Sequence, residues 1–198
     1  SADKQEGHVG ADAYRLGSAF LRRHNVVERS RSMMWTLMQE TGETSNLGVE
    51  KDGNVLFVSQ VETHETIRAF FPPGSLSPLH ASGIGKALLS TYAPARTERL
   101  FRGKTFARFT DKTIASLDQL RDDAEATRRR GYAIDDEERT IGMRCVAAPI
   151  LNVHGEAIAG ISVSGPTHRL SDEKLRAIGE RVRRGAAAVS RALGAPAA

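Results

Sequence analysis

The sequence predicts an α+β domain, an antiparallel sheet of about five or six strands with helices before, between and after them. Two pairs of alternating apolar segments indicate hairpins, one across Asp52-Gly53 and one across residues 153–156. Apolar residues at helical spacing occur before, between and after these hairpins. A sheet built from adjacent hairpins buries at least one face under helices, so we expect the long first and last helices to cover the same face.

The composition is typical of a globular domain with a sizeable core. The chain has 198 residues, of which 40% are hydrophobic, and no apolar run approaches the ~20 residues that span a bilayer. We therefore expect a cytoplasmic protein with no membrane partner. Cys145 is the only cysteine, which excludes an intramolecular disulfide and a cysteine-rich zinc site. The net charge is +4, but basic residues alternate with acidic ones, so direct DNA binding by this segment is not predicted.

The first half of the chain is predicted to contain helical segments followed by three strands. Asn25 with Glu28 resembles a capping pair at the start of a helix, and Gly42 ends that helix. Residues 1–13 are small and polar, and little order is expected there. The elements predicted for this half are a short helical piece over 19–23, a helix over 26–40, strands over 46–50 and 55–59, and a third strand over 65–70.

The second half is predicted to alternate helices and strands. Ser116 with Gln119 forms a capping box, and Gly131 stands at a C-cap position. Residues 102–113 are expected to be mostly loop. The elements predicted for this half are a helix running to about residue 91, a shorter one over 94–101, a third over 117–130, strands over 132–135, 145–152 and 157–164, and a final helix that begins after Ser171.

The stretch Leu79–Ser90 passes from a loop into a helix through two glycines and a serine. Backbone N–H groups at a helix start are unpaired and carry the positive end of the helix dipole, so this stretch could bind a small anion. His80 and Ala87 exclude a P-loop, and Leu88 excludes a dinucleotide fingerprint. An ordinary helix start with glycines for close packing is the alternative. Lys86 is expected to point to solvent or to a subunit neighbour.

The last hairpin is predicted to gather small polar side chains on one face. If Asn152 pairs with Ala157, then Ala147 lies opposite Ser162 and Cys145 lies opposite Ser164. Since side chains alternate along a strand, a thiol and two hydroxyls would share a patch that could orient a small polar ligand. The alternative is that the serines line a wet outer face and Cys145 is a small buried hydrophobe.

Asp135 is a further candidate, although an acidic group such as 135–138 usually forms a solvated turn. In an anion pocket its carboxylate would have to meet a hydroxyl, a water or backbone amides. Catalysis is weakly supported, because no histidine has a motif-level relation to Cys145. The histidines at 24, 64, 80 and 154 are expected at the surface or in loops. His80, Cys145 and Asp135 could converge on a metal, but their spacing does not match a metal site, and no cofactor is expected.

Six motifs occur together in an order and spacing that resemble the effector-binding domain of the IclR family of bacterial transcriptional regulators. The resemblance covers about residues 14–194, and the motifs in register make it highly specific. They are Tyr14-Arg15-Leu16-Gly17, Glu40–Thr44 with Leu47-Gly48-Val49, Leu79–Leu89, Arg130–Ala133 with Asp135–Glu138, Gly142–Ile150, and Ile161–Pro166.

The resemblance implies a GAF-like α+β domain, an antiparallel sheet of about six strands with helices on both faces. Such a domain binds a small organic acid or related metabolite and is not an enzyme. It implies residues 1–24 as a remnant of the N-terminal region and linker helix, residues 25–194 as the effector-binding domain, and 195–198 as a tail. DNA would be contacted only by an N-terminal winged helix-turn-helix that this chain lacks. A homodimer or homotetramer is expected. Effector identity, and repressor against activator function, stay open.

The resemblance also implies which residues contact the effector. Family members with the smallest oxoacid effectors tend to have alanine at the position of Ile84, and this larger side chain is expected to reshape the pocket mouth. The carried-over contacts are the backbone amides of Gly83 and Ile84 and the polar groups of Asp135, Cys145, Ser162 and Ser164, with Ala69, Ser77 and Met143 as a possible apolar wall.

Two other classes of function remain at this point. One is a small enzyme that uses Cys145 as a nucleophile on a carbonyl substrate, and selective alkylation of this thiol at neutral pH would favour it. The other is a module that only forms oligomers, which predicts that no metabolite raises the melting temperature.

Overall fold

The structure is a computed structural model that describes residues 12–13 and 26–196. The short helical piece expected over 19–23 lies outside the described residues. From residue 26 onward the elements are α1 (Val26–Thr41), β1 (Thr44–Lys51), β2 (Asn54–Val61), β3 (Leu76–Pro78), a 3-10 turn (Leu79–Ala81), α2 (Gly83–Leu89), α3 (Pro94–Phe101), α4 (Leu117–Arg130), β4 (Ala133–Asp136), β5 (Met143–Leu151), β6 (Ala157–Pro166) and α5 (Asp172–Ala192).

The strands form one six-stranded antiparallel sheet in the order β3-β2-β1-β6-β5-β4. β1 and β2 are joined by a two-residue turn in which Asp52 and Gly53 have φ angles of 52° and 81°. Positive φ at both positions is the hairpin turn that matches the twist of the strands. The predicted α+β class and the Asp-Gly hairpin are therefore confirmed.

α1 and α5 cover the same face of the sheet, as the sequence predicts. Leu37 of α1 and Val182 of α5 are fully buried there against apolar residues of β1, β5 and β6. Ile161 and Val163 of β6 belong to the same cluster. This face is a dry apolar core whose burial supplies most of the hydrophobic stabilisation on that side.

The opposite face carries α2, with α3 and α4 outside it. Gly85 permits the close approach of α2 to the preceding turn, because a Cβ there would meet the backbone of Leu79. α4 begins at the capping box, where Ser116 Oγ accepts from Gln119 N at 3.2 Å, and ends at Gly131 with a φ of 82°. Both caps were predicted. Ser171 precedes α5 as expected, but its side chain makes no capping hydrogen bond.

The third strand predicted over residues 65–70 is wrong. β3 lies later, at Leu76–Pro78, and pairs with Asn54–Leu56. The predicted segment runs into three consecutive apolar residues at 69–71 and then into Pro72 and Pro73, which cannot donate backbone hydrogen bonds to a neighbouring strand. Side chains hold it instead: Arg169 donates to the carbonyl of Ile67 at 2.7 Å, and Phe71 stacks on Phe57 with ring centroids 4.8 Å apart.

Among the described helices, none combines the length and the apolar character needed to cross a bilayer.

Candidate functional site

The floor of the site is the β5–β6 hairpin, with the predicted register. Cys145 pairs with Ser164, and Ala147 pairs with Ser162. An irregularity between Ile150 and Leu151 makes Leu151, rather than Asn152, the partner of Ala157. The register returns beyond that point, so the two serines and the thiol share the face that α2 covers, opposite the apolar core.

The start of α2 forms the facing wall. Ser82 Oγ accepts a hydrogen bond from Gly85 N at 3.4 Å, and Lys86 N donates to Ser82 O at 2.8 Å. The N–H groups of Gly83 and Ile84 are left without an intrahelical acceptor, as at any helix start. A Cβ on Gly83 would lie 2.6 Å from Cys145 Sγ, so only glycine allows this contact between α2 and β5.

Between floor and wall lies a cavity with two compartments. The inner compartment has a volume of about 20 Å³, and all six predicted contact residues line it, with Ser77. The outer compartment, of about 220 Å³, is lined by Ala69 and Met143 among others. Asp135, Cys145 and Ser164 line both, so the two compartments are adjacent. The structure thus brings together every residue predicted for the site, while their contact with a ligand stays a prediction.

The two serines differ in their partners. Ser164 Oγ is 3.4 Å from Asn46 Nδ2, and Asn46 Oδ1 in turn accepts from Gln60 Nε2 at 3.0 Å. Ser162 Oγ is buried and makes no hydrogen bond of normal geometry with the described residues, although it interacts with the Cys145 thiol, which is a weak partner. A buried hydroxyl without a partner costs about 1–3 kcal/mol, and such groups are uncommon in native folds. A ligand that bonds to Ser162 would remove this cost.

Asp135 is buried, contrary to the solvated turn that acidic runs usually form. Its Oδ1 accepts from Glu138 N at 2.8 Å, which is the backbone-amide contact the sequence argument required. Burial raises the pKa of this carboxyl to about 6, although the charge of Lys86 and the backbone amides oppose the rise. The carboxyl can therefore take up a proton close to neutral pH.

The prediction that Lys86 points to solvent or a neighbouring subunit is wrong. Its side chain is 1% exposed, and its Nζ donates to Glu138 Oε1 at 2.6 Å and to Ile134 O at 2.6 Å. Asp123 Oδ1 of α4 lies 3.2 Å from the same Nζ. α4 packs over this turn of α2, so the lysine reaches inward to β4 and to α4. It fixes the helix that forms the wall of the site.

The carboxylates around Lys86 are only partly satisfied. Within the described residues, Glu138 Oε2 and Asp123 Oδ2 are buried without hydrogen-bond partners. Burial raises the pKa of Glu138 to about 7, and the charge of Lys86 opposes this rise. Glu138 also donates its backbone N–H to Asp135, so one residue links the buried lysine to the cavity.

Cys145 does not have the properties of a nucleophile. Burial and the neighbouring charge of Asp135 raise the pKa of the thiol to about 12, so the thiolate is scarce at neutral pH. His80 is buried rather than superficial, with its Nε2 3.0 Å from Ala107 O and its ring packed on Phe106. Within residues 12–13 and 26–196, no group of three His, Cys, Asp or Glu side chains is arranged to hold a metal.

Ile84 is buried against the sheet beside the cavity, and its expected effect on the shape of the pocket mouth stays a prediction. Its side chain enters a notch on the sheet that two glycines leave open, because a Cβ on Gly160 or on Gly48 would lie 2.7 Å or 3.4 Å from it. Ile84 is 1% exposed. The side chain of Ile84 therefore packs in the core. The residue also lines the inner compartment, where its backbone N–H is available.

Several residues that line or support the site were not predicted from the sequence, among them Phe57, Phe71, Arg139 and Asn46. Phe57 and Phe71 form an aromatic side of the inner compartment, and Arg139 lines both compartments. Asn46 supports Ser164 from β1. Strand alternation could have placed Phe57 and Asn46 on the cavity face. Phe71 and Arg139 lie in irregular segments, for which a single sequence carries no such signal.

The family model described as bacterial transcriptional regulator IclR C-terminal matches residues 18–191. This chain therefore belongs to the IclR family, and its fold is the α+β, GAF-like fold of the IclR C-terminal domain.

Curated relatives and solved structures agree with this assignment. The HTH-type transcriptional regulator BhcR of Paracoccus denitrificans is 57% identical over 90% of this chain and 64% of its own length. The acetate operon repressor of Salmonella typhimurium is 38% identical over 95% of this chain and 70% of its own length. The crystal structure of Thermotoga maritima IclR has a TM-score of 0.87 and 29% identity, covering 93% of this chain and 75% of that one. The relatives are transcriptional regulators, and this chain spans less than two thirds of the Paracoccus protein.

Proposed function

We propose that this chain is the ligand-sensing domain of a bacterial transcriptional regulator and that a small carboxylic acid binds in the cavity between α2 and β5–β6. The observation that carries the proposal is Ser162 Oγ, a buried hydroxyl at the floor of this cavity that makes no hydrogen bond of normal geometry and interacts weakly with the Cys145 thiol. A carboxylate oxygen placed there would accept its hydrogen bond.

The rest of the cavity suits the same ligand. The free N–H groups of Gly83 and Ile84 can donate to the carboxylate from the wall of the cavity. Ser164 offers a second hydroxyl, and Cys145 contributes a neutral thiol at neutral pH. The protonated form of Asp135 would donate a hydrogen bond instead of repelling the anion.

The size of the cavity favours a small effector. An inner volume of about 20 Å³ holds roughly one water molecule, so only a compact polar group fits there. The outer compartment of about 220 Å³ can hold the remainder of the molecule. A small oxoacid fits this division better than an aromatic acid. The name of the acetate operon repressor likewise connects a relative with a small carboxylate.

Regulation would act through the parent protein. The relatives' names place a helix-turn-helix in such regulators, so DNA binding is proposed to reside in a separate N-terminal domain. Effector binding would favour one arrangement of two or four assembled chains and so change the spacing of their DNA readers. The domain limits predicted above, 25–194 for the effector domain, belong to this proposal.

Calorimetry on the 198-residue chain tests the proposal. Acetate, glyoxylate, pyruvate and sugar acids are titrated beside their neutral amides. We expect at least one small acid to bind and its amide to bind more weakly. Replacing both Ser162 and Ser164 by alanine should weaken binding by about tenfold or more.

Ser171→Ala is the matched control, because this serine makes no side-chain capping bond and lies outside the cavity. It should bind as the parent does. Undiminished binding by the double serine variant would reject the site, and failure of every acid to bind would reject the carboxylate ligand.

A further inference from the structure

Arg139 differs from the other arginines that line the cavity. Arg68 pairs with Glu62 at 2.7 Å, and Arg144 pairs with Asp136 and Asp172. Arg139 lines both compartments, yet its guanidinium makes no hydrogen bond or ion pair with the described residues. It is the cation at this cavity whose charge is not neutralised by a partner.

The guanidinium is held on an aromatic ring. Arg139 Cζ lies 3.9 Å from the centroid of Phe109, the distance of a cation–π contact. This contact leaves the N–H donors of the guanidinium available at its edge.

The segment that carries Phe109 is fixed to the turn that carries Arg139. Thr113 Oγ1 accepts from Phe109 N at 3.0 Å and donates to Glu138 O at 2.6 Å. The arginine and its aromatic support therefore form one unit beside the cavity. Such preorganisation lowers the entropy cost of binding a ligand.

The charges in the cavity make a cation necessary. Asp135 brings a carboxyl that repels an anion whenever it is ionised. Lys86 does not compensate for this repulsion, because its ammonium group is already paired with Glu138 and Asp123. An acid bound between α2 and β6 would thus find one side-chain cation within the lining, Arg139.

We propose that Arg139 is a specificity-determining residue of the effector site, whose guanidinium pairs with the effector carboxylate from the outer compartment. The inference rests on the proposed function and adds the group that selects anionic over neutral ligands. Arginine suits this role because its fork of donors matches both carboxylate oxygens.

Titration of the 198-residue chain with glyoxylate, pyruvate and malonate, at low and moderate salt, tests the proposal. Arg139→Gln should weaken binding of the acids by about tenfold to hundredfold, and Arg139→Lys should lose less because the charge remains. Salt should weaken binding to the parent, and Arg139→Gln should flatten this dependence. Arg129→Gln removes the same charge from an exposed face of α4 and should leave binding unchanged.

The outcomes separate the two proposals. If the parent binds an acid and Arg139→Gln binds it equally well with the same salt dependence, Arg139 has no role and the effector site stands. If the parent binds none of the acids in this or the earlier series, the proposed function fails, and the role of Arg139 fails with it. If Arg139→Gln unfolds at a lower temperature than the parent, Arg139→Lys decides instead. Acid binding and salt dependence that are retained in Arg139→Lys support the role of the charge. Complete loss of acid binding in Arg139→Lys overturns it.

Discussion

The two faces of the sheet are equally buried and chemically opposite, and β6 shows both. Ile161 and Val163 are 0% exposed and lie in the apolar core under α1 and α5. Ser162 and Ser164 are 1% and 3% exposed and lie in the cavity under α2. The first face buries mainly carbon, with the hydroxyls of Ser30 and Ser45 among it. The second buries hydroxyls, carboxyls and an ammonium group beside an apolar cluster of its own.

This difference separates stability from recognition within one strand. The apolar face gains free energy from removal of its carbon surface from water. Buried hydroxyls without hydrogen bonds of normal geometry occur on both faces, at Ser30 and Ser45 on the first and at Ser162 on the α2 face. Ser162 differs from the other two because it lines the cavity, where a bound ligand could return the free-energy cost of its burial. Substitutions on the first face should therefore change unfolding, and those on the cavity side of the second should change binding.

The largest loss of stability should come from Lys86, the buried cation that holds α2 on its face of the sheet. Lys86→Met would leave Glu138 and Asp123 without their buried cation. We expect a loss of about 3–5 kcal/mol in the free energy of unfolding, measured by urea denaturation at pH 7. Lys51→Met, at an exposed lysine beside Asp52, should hardly move the midpoint. Equal midpoints for the two variants would show that Lys86 does not fix α2.

On the apolar face, Leu37→Ala should lower the free energy of unfolding by about 2–5 kcal/mol, because it opens a cavity where the side chain is fully buried. Affinity for a small acid should not change at a temperature where the variant is folded. Trp35→Ala on the exposed side of the same helix is the control and should cost far less. A change in affinity with unchanged unfolding would contradict the separation of the two faces.

Binding should depend on pH through Asp135. Its pKa is about 6 in the free domain, and a bound anion raises it further, so binding takes up a proton above pH 6. Affinity should be level below pH 6 and fall by up to about tenfold per pH unit above it. Asp135→Asn keeps an oxygen for Glu138 N and should remove the slope in calorimetric titrations. A slope that persists in this variant would assign the proton to another group.

The smallest change in stability is expected at Ser162, and it gives the sharpest comparison between the two faces of the sheet. Ser162→Ala removes a buried hydroxyl that makes no hydrogen bond of normal geometry, so the free energy of unfolding should fall by no more than about 1 kcal/mol, or rise. Val163→Ala, on the next residue but the other face, should destabilise the fold without altering affinity. If urea denaturation shows the serine variant to be the less stable of the two, Ser162 has a structural role instead.

Local rules in the sequence predicted most of the scaffold. Asp52-Gly53, the Ser116 box and Gly131 each set a turn or a helix end through their own backbone preferences, and all were confirmed. The register of β5 and β6 was obtained near the serines because hairpin pairing follows from strand alternation.

Features decided by distant partners were not predicted. Lys86 is buried because Asp123 of α4, Ile134 of β4 and Glu138 in the turn after β4 offer it acceptors. These partners are distant in the sequence, and a helix pattern alone does not show them. The side chain of Ile84 fits into a notch made by Gly48 of β1 and Gly160 of β6, which are distant from it in the sequence. The irregular segments that carry Phe71 and Arg139 follow no periodic pattern that sequence reasoning could use.

A crystal structure of the 198-residue chain with a bound small acid tests the central claim most directly. We predict the carboxylate in the cavity, with an oxygen about 2.6–2.9 Å from Ser162 Oγ and within hydrogen-bond distance of the N–H of Gly83 or Ile84. The same acid bound elsewhere, for example in the groove between α4 and α5 near Arg128 and Arg183, with Ser162 still unpaired, would contradict it.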